Sequence, residues 1–321
     1  MVEPERLGAA EARHHIPVLV AEVVAGLGVH SGGHYLDATV GGGGHSAAIL
    51  EASAPDGYVV GLDRDAEAVE RARVRLGGYG DRAKVVHASY VDLLEVLRRE
   101  ELQSLDGVLF DLGFSSWQID DPRRGFSFVQ DGPLDMRFDA SSGLMAADLV
   151  NQLSEGALAQ VLFEYGEEPR SRGIAHAIVR ARPVRTTGEL AEIVSLAVGG
   201  RRNSRASMRI HPATRTFQAL RIAVNQELEA IGSALPDALS ALRSGGRLAI
   251  IAFHSLEDRI VKQFLQRESE DCICPPELPV CQCDHRRTLR VLTRRPIAPT
   301  GPEIQANPRS RSAKLRLAEK L

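Results

Sequence analysis

The sequence predicts an α/β fold, a Rossmann-like sheet of seven strands carrying a helical insertion, and three observations predict it. Apolar runs of strand length alternate with helix-period segments through the first 113 residues. The alternation stops near Asp120, and no strong strand signal returns before Ile210. It resumes beyond residue 211 and finishes in two segments able to pair as an antiparallel hairpin. The expected organisation is a sheet domain in two parts, 1–119 and 211–321, around an inserted helical domain over 120–210.

The elements follow in order. "HYLDAT" (34–39) reads as a buried strand and 45–52 as a helix. "YVVGLD" (58–63) is a second strand, followed by a helix over 65–76. "AKVVHA" (83–88) is a third, with a short helix over 91–97, and "LDGVLFDLG" (105–113) is a fourth. Strands separated by single helices imply a parallel sheet covered on both faces. Within the insertion, helices are expected at 156–166, 171–181 and 186–200, the last with Thr187 as N-cap and Gly199-Gly200 as its stop. Residues 211–242 carry helical periodicity, with an interruption expected near Pro236. "GRLAIIAF" (246–253) is a buried strand, and 255–265 a helix opened by Ser255 with Asp258 three residues on. "TLRVLT" (288–293) and "SAKLRLAEK" (312–320) form the closing hairpin.

Composition narrows the class. An apolar content of 44% and a charged content of 25% suit a soluble globular protein. No apolar run approaches the roughly 20 residues of a membrane span, and no signal peptide is expected, so a cytoplasmic location follows. The formal net charge of −3 conceals a segregation. Residues 164–225 hold eleven arginines, no lysine and five acidic residues, and 284–321 hold ten basic and three acidic residues. Arginine binds phosphate through a planar fork, so this bias points to nucleic acid.

The run "DATVGGGGHSAAIL" (37–50) carries most of the chemistry. It lacks the third spaced glycine of a dinucleotide fingerprint and the lysine of a phosphate-binding loop. Four consecutive glycines exceed what a tight turn needs and let backbone approach a ligand. His45 either contributes its side chain or only begins the helix. Asp63 ends the second strand, where a carboxylate suits two ribose hydroxyls. Tyr90 follows the third, as an adenine-stacking ring or a half-buried core residue. Asp37, Asp63, Tyr90 and Asp111 all fall at the carboxyl ends of successive strands, where open α/β sheets bind ligands.

Several stretches resemble one known family: "HIPVLVAEVV", "DATVGGGGHS", "GLDRD", "DLGFSSWQIDDPRRGFSFVQDGPLDMRFD", "RTFQALRIAVNQEL", "AFHSLEDRIVK" and "NPRSRSAKLRLAEK". In this order, from about His15 to the end of the chain, they are similar to the bacterial RsmH (MraW) family. The resemblance implies a class I S-adenosylmethionine-dependent methyltransferase fold with a helical domain inserted after the fourth strand. It implies methyl transfer from S-adenosyl-L-methionine to the exocyclic N4 of a cytidine in the decoding region of small-subunit ribosomal RNA, cytidine 1402 of 16S rRNA. The implied cofactor residues are Gly43, Gly44, His45, Asp63, Tyr90, Asp111 and Gln118. The implied partner is small-subunit rRNA or the assembled small subunit, and a homodimer is left open.

The N4 amine of cytosine is a poor nucleophile, because its lone pair is delocalised into the ring. It needs positioning and an acceptor beside it. Asp111 or Ser115 is the candidate catalytic acceptor, with Asp111 serving only the cofactor as the other reading. "DLGFSS" departs from the acidic-or-polar, proline, proline, aromatic motif of many amino-methyltransferases. Attack at cytosine C5 would need a cysteine near the site, and the four cysteines all lie within 272–283. Trp117, Phe126 and Phe128 are candidate stacking partners for an extruded base, and Arg123, Arg124 and Arg137 candidate phosphate or base contacts. "DGPLDMRFD" instead reads equally well as a loop that locks the insertion to the sheet. His254 either contacts substrate or accompanies the Ser255 cap.

Cys272, Cys274, Cys281 and Cys283 form two C-x-C pairs with His285 nearby. They suit a structural zinc, although the common pair is C-x₂-C, and a proline-rich loop of reduced thiols is the other reading. Three rival functions stand beside methyl transfer to rRNA. They are a nicotinamide-dependent oxidoreductase, an RNA-binding assembly protein without catalysis, and a methyltransferase acting on another substrate.

Overall fold

The computed structural model describes residues 17–199, 211–275, 278 and 280–321. Among them, seven strands form one sheet in the order β3-β2-β1-β4-β5-β7-β6. These are β1 (His34–Asp37), β2 (Tyr58–Asp63), β3 (Ala83–His87), β4 (Leu105–Asp111), β5 (Leu242–Ala252), β6 (Leu289–Val291) and β7 (Lys314–Lys320). β1 to β5 run parallel; β7 is antiparallel to both β5 and β6. This is the class I methyltransferase sheet, and the hairpin at its end is the one expected from the sequence.

The strands are apolar on both faces because helices cover both. One face packs Leu36, Val60, Val108 and Ile250 against α4 (Leu93–Arg99), α11 (Glu227–Ala241) and α12 (Ser255–Glu268). The other packs Tyr35, Val59, Leu109 and Ile251 against α1 (Val20–Leu27), α2 (Gly44–Ala52) and α3 (Ala66–Leu76). α1 was not expected; the apolar "VLVAEVVAGL" reads as readily as strand, and Gly28 closes it in the left-handed conformation.

A third apolar cluster is helical and runs from Phe126 to Leu220. It joins α6 (Ala146–Gln152), α7 (Glu155–Gly166), α8 (Ser171–Ala181), α9 (Thr187–Ala197) and α10 (Thr214–Asn225). Three local expectations are corrected. The N-cap of α9 is Thr186, not Thr187; its hydroxyl accepts from Glu189 N–H while Glu189 accepts from the Thr186 amide. Thr187 is instead buried and donates to Gly132's neighbourhood through Gln130 O and Asp131 Oδ1. The break within 211–242 falls at Gln226, at φ 51°, and α11 continues through Pro236. α12 is capped by His254 with Glu257, not by Ser255 with Asp258. Asp258 is drawn away by Lys314 and Arg316 of β7.

"DGPLDMRFD" is a structural loop bound to α9 and α10 rather than to the sheet. Asn225 Nδ2 donates to Met136 O and Asn225 Oδ1 accepts from Phe138 N–H. Leu134 and Met136 are fully buried in the helical core. Asp131 accepts from Gly188 N–H at the start of α9. These bonds join the loop to α9 and α10, while Asp135 and Arg137 pair with each other within it.

Candidate functional site

A cavity of about 320 Å³ opens at the carboxyl ends of β1, β2 and β4. Its wall contains Gly41, Gly42, Gly44, His45, Asp63, Tyr90, Asp111, Ser115 and Gln118. Of the seven implied cofactor residues only Gly43 is absent from that wall. It stands behind the loop at φ +75°, as the N-cap of α2, and a Cβ there would come 3.3 Å from Leu76. Only glycine holds that conformation cheaply. Asp37 is also behind the loop, fully buried, accepting from Ser46 Oγ at 2.7 Å. Its task is to hold α2 to β1 rather than to face a ligand.

Asp63 is oriented by two backbone amides. Oδ2 accepts from Gly41 N–H and Oδ1 from Asp65 N–H, both at 2.9 Å. Burial pushes its carboxyl up to about 6, although those two bonds pull it down. Each oxygen accepts one of these bonds and keeps further acceptor capacity, and Asp63 lines the cavity together with Gly41, Gly42 and Gly44. Tyr90 packs its ring edge-on to Phe110, with centroids 5.6 Å apart, and lines the cavity as well. Burial raises its hydroxyl far above the ordinary value.

Asp111 is held differently. Its amide donates to Thr39 Oγ1 at 2.6 Å, fixing the end of β4 to that of β1. Its Oδ1 is buried without a hydrogen-bond partner, and its Oδ2 lies 3.6 Å from His45 Nδ1. Burial pushes this carboxyl up to about 6; the His45 ring lowers it, and the negative charges of Asp37 and Glu257 raise it. His45 is itself buried, with Nε2 2.8 Å from Val18 O. A carbonyl only accepts, so Nε2 carries a hydrogen and Nδ1 faces the Asp111 carboxylate. The side chain of His45 thus does more than begin α2.

Ser115 and Gln118 cap one another at α5 (Ser116–Asp120). Ser115 Oγ accepts from Gln118 N–H, and Gln118 Oε1 from Ser115 N–H. Gln118 Nε2 then donates to Asp65 Oδ2, which also binds Arg124. Both ends of the Gln118 amide are engaged, so it braces the wall.

The stacking candidates are placed otherwise than expected. Phe126 is sandwiched between Phe114 and Phe138, and Phe128 packs on Phe217 and His211. Trp117 lies under the Arg71 guanidinium. Phe114 lines the cavity together with Tyr90, Phe138 and Phe253, and is 37% exposed, stacked on Phe126 and with the Arg221 guanidinium 4.4 Å from its centroid. Arg124 and Arg137 are engaged within the protein, Arg124 with Asp65 and the Arg137 and Phe138 carbonyls, Arg137 with Asp135. Arg123 is exposed but paired with Asp121.

Two buried acids in the wall were not anticipated. Glu227 grips Arg221 through both oxygens, at 2.7 and 2.8 Å. Burial raises its pKa despite that partner. Burial also raises Glu257, but the hydrogen bond and charge of His254, with Arg221 further off, bring it below its ordinary value. His254 Nδ1 accepts from Glu257 N–H as the α12 cap, and its Nε2 lies 3.1 Å from Glu257 Oε1. "NQEL" and "HSLED" held the signal: acidic residues on the apolar stripe of a helix. Arg201, Arg202 and Arg205 lie outside the described residues.

The chain is similar to known proteins over nearly its whole length. The ribosomal RNA small subunit methyltransferase H of Thermomicrobium roseum is 54% identical over 310 residues, covering 96% of this chain and 94% of that protein. The protein of the same name from Dehalococcoides mccartyi is 51% identical over 307 residues, covering 96% and 86%. That from Syntrophobacter fumaroxidans is 51% identical over 312 residues, covering 96% and 97%. The model of the MraW methylase family matches residues 12–321. With that match spanning nearly its whole length, the chain belongs to the MraW methylase family, the RsmH small-subunit rRNA methyltransferases.

Proposed function

We propose that this protein transfers a methyl group from S-adenosyl-L-methionine to the exocyclic N4 of a cytidine in the decoding region of small-subunit rRNA, cytidine 1402. The observation that carries the reading is the buried, unpartnered Oδ1 of Asp111 in the cavity wall. An unsatisfied buried carboxylate oxygen is costly unless a ligand donor meets it. An exocyclic amine is such a donor.

S-adenosylmethionine, when bound, supplies an electrophilic methyl group on a sulfonium. The residues present fit it: Asp63 would take the ribose hydroxyls, Tyr90 would flank the adenine, and the Gly41, Gly42 and Gly44 backbone would border the methionine part. His45 and Gln118 would hold the Asp111 and Asp65 carboxylates in place rather than touch the ribose. Asp111 Oδ1 accepts from the N4 amine, orients its lone pair toward the methyl and takes up the proton that the amine loses. Ser115 is the weaker candidate, because its oxygen already caps α5. Phe114, backed by Phe126 and Arg221, offers a face on which the cytosine ring stacks. The helical part of the chain, with its arginines, holds the surrounding RNA.

Mass mapping of methyl groups on small-subunit rRNA, from cells with and without this protein, tests the reading. The N4 methyl is expected to disappear with the protein and return with the wild-type gene but not with Asp111→Ala. Retention of the mark without the protein would overturn the proposal.

A further inference from the structure

The loop joining α12 to β6 raises a separate question. Residues 269–288 contain no helix or strand among those described, and the apolar side chains there face solvent: Ile273, Leu278 and Val280 are all exposed. A structureless loop of this length needs something other than a core to hold it. Its ends are tied to α12 by Thr288 N–H donating to Glu268 O and by His285 Nε2 at 3.0 Å from Arg267 O. Between these ends lie four cysteines and no disulfide.

The four sulfurs converge. Cys272 Sγ lies 3.4 Å from Cys281 Sγ and 3.9 Å from Cys283 Sγ, and Cys281 Sγ lies 3.6 Å from Cys283 Sγ. All four fall within 4.8 Å of one another. A tetrahedron of thiolates around zinc, with Zn–S bonds of about 2.3 Å, has edges of about 3.8 Å. A disulfide needs about 2.05 Å and joins sulfurs in pairs, not in a group of four. Two backbone amides also point at sulfur. Ile273 N–H donates to Cys283 Sγ at 3.4 Å and Gln282 N–H to Cys274 Sγ at 3.3 Å. Each C-x-C pair thereby receives an N–H from the opposite strand of the loop, an arrangement that steadies thiolate charge.

We propose that Cys272, Cys274, Cys281 and Cys283 bind one structural zinc ion, which orders the loop between α12 and β6. A closed set of four thiolates leaves no open position, so the ion takes no part in methyl transfer. None of the four lines the cavity. Its effect is local. It pins a loop that lacks a core and carries His285, Arg286 and Arg287 into the edge strand of the sheet.

The test uses full-length protein purified without a histidine tag. Elemental analysis is expected to find about one zinc per chain, released stoichiometrically by a thiol-specific mercurial. Cys272→Ser/Cys281→Ser is expected to lower the zinc content by roughly tenfold or more, with the thermal transition of the sheet retained. Limited proteolysis is expected to cut within 269–288 only after zinc is removed. Trace metal in the wild-type protein, iron in place of zinc, or disulfides found by mass spectrometry would each overturn the proposal. So would zinc retained by the double variant, which would place the ion at Glu227, His254 and Glu257, the other described group of donors.

Discussion

Asp111 concentrates the consequences at the scale of a single residue. If its Oδ1 accepts the substrate amine, Asp111→Asn lowers kcat by roughly 100-fold or more while the S-adenosylmethionine Kd stays within about twofold. If it serves only the cofactor, calorimetry will find the loss in Kd instead. The same group sets a pH dependence. Burial pushes its folded pKa up to about 6 from 3.8, so between those values the folded protein binds more protons than the unfolded chain. Stability therefore falls as pH rises through that window and levels off above it. A shift of that size is an upper limit of roughly 3 kcal/mol. Asp63, also pushed up to about 6, adds in the same sense. Denaturation of ligand-free Asp111→Asn between pH 4 and pH 8 is expected to give a shallower fall than wild type. Superimposable pH curves would remove the buried charge as its cause.

At the scale of elements, the proposed cofactor pocket is the turn between β1 and α2 laid against the end of β2. Asp63 ties the two by accepting from Gly41 N–H. Asp63→Ala is expected to weaken S-adenosylmethionine binding by at least about tenfold, or ~1.4 kcal/mol, because it removes the ribose acceptor and loosens the glycine loop together. An unchanged calorimetric affinity would sink that assignment. The strands, and the meeting of Asp63, Tyr90 and Asp111 at one cavity, were readable in advance, since strand periodicity and strand-end residues are local signals. What escaped the sequence depends on which of two neighbours wins a contact. Thr186 and Thr187 are equally good caps, and Asp131 draws Thr187 away. Pro236 signals a break, yet α11 absorbs it and the chain turns at Gln226, where packing of α10 on α11 imposes a left-handed residue. Phe126 and Phe128 have the composition of a stacking site. Only the fold reveals that they are core, and that Phe114 holds the exposed face.

At the scale of the whole molecule, charge is segregated by segment, and the second basic segment reaches the cavity. Arg309 lines it, paired with Asp120, while Arg221 of the first segment lies against Phe114. Not every arginine between 164 and 225 is free for RNA. Arg221 is buried on Glu227, and Arg182 donates to the Val150 and Leu153 carbonyls. The proposed phosphate contacts fall to the others, and Arg201, Arg202 and Arg205 form the densest group within that segment. Each phosphate contact to single-stranded RNA contributes about 0.7 to the slope of log K against log salt. Replacing these three arginines by alanine is expected to weaken RNA binding at low salt and to flatten that slope by about 2. S-adenosylmethionine affinity is expected to stay unchanged. Filter binding across a salt series, with calorimetry of the same variant, checks both halves. An unaltered slope would mean that RNA is held elsewhere, and the basic segment 284–321 would then be the surface to neutralise next.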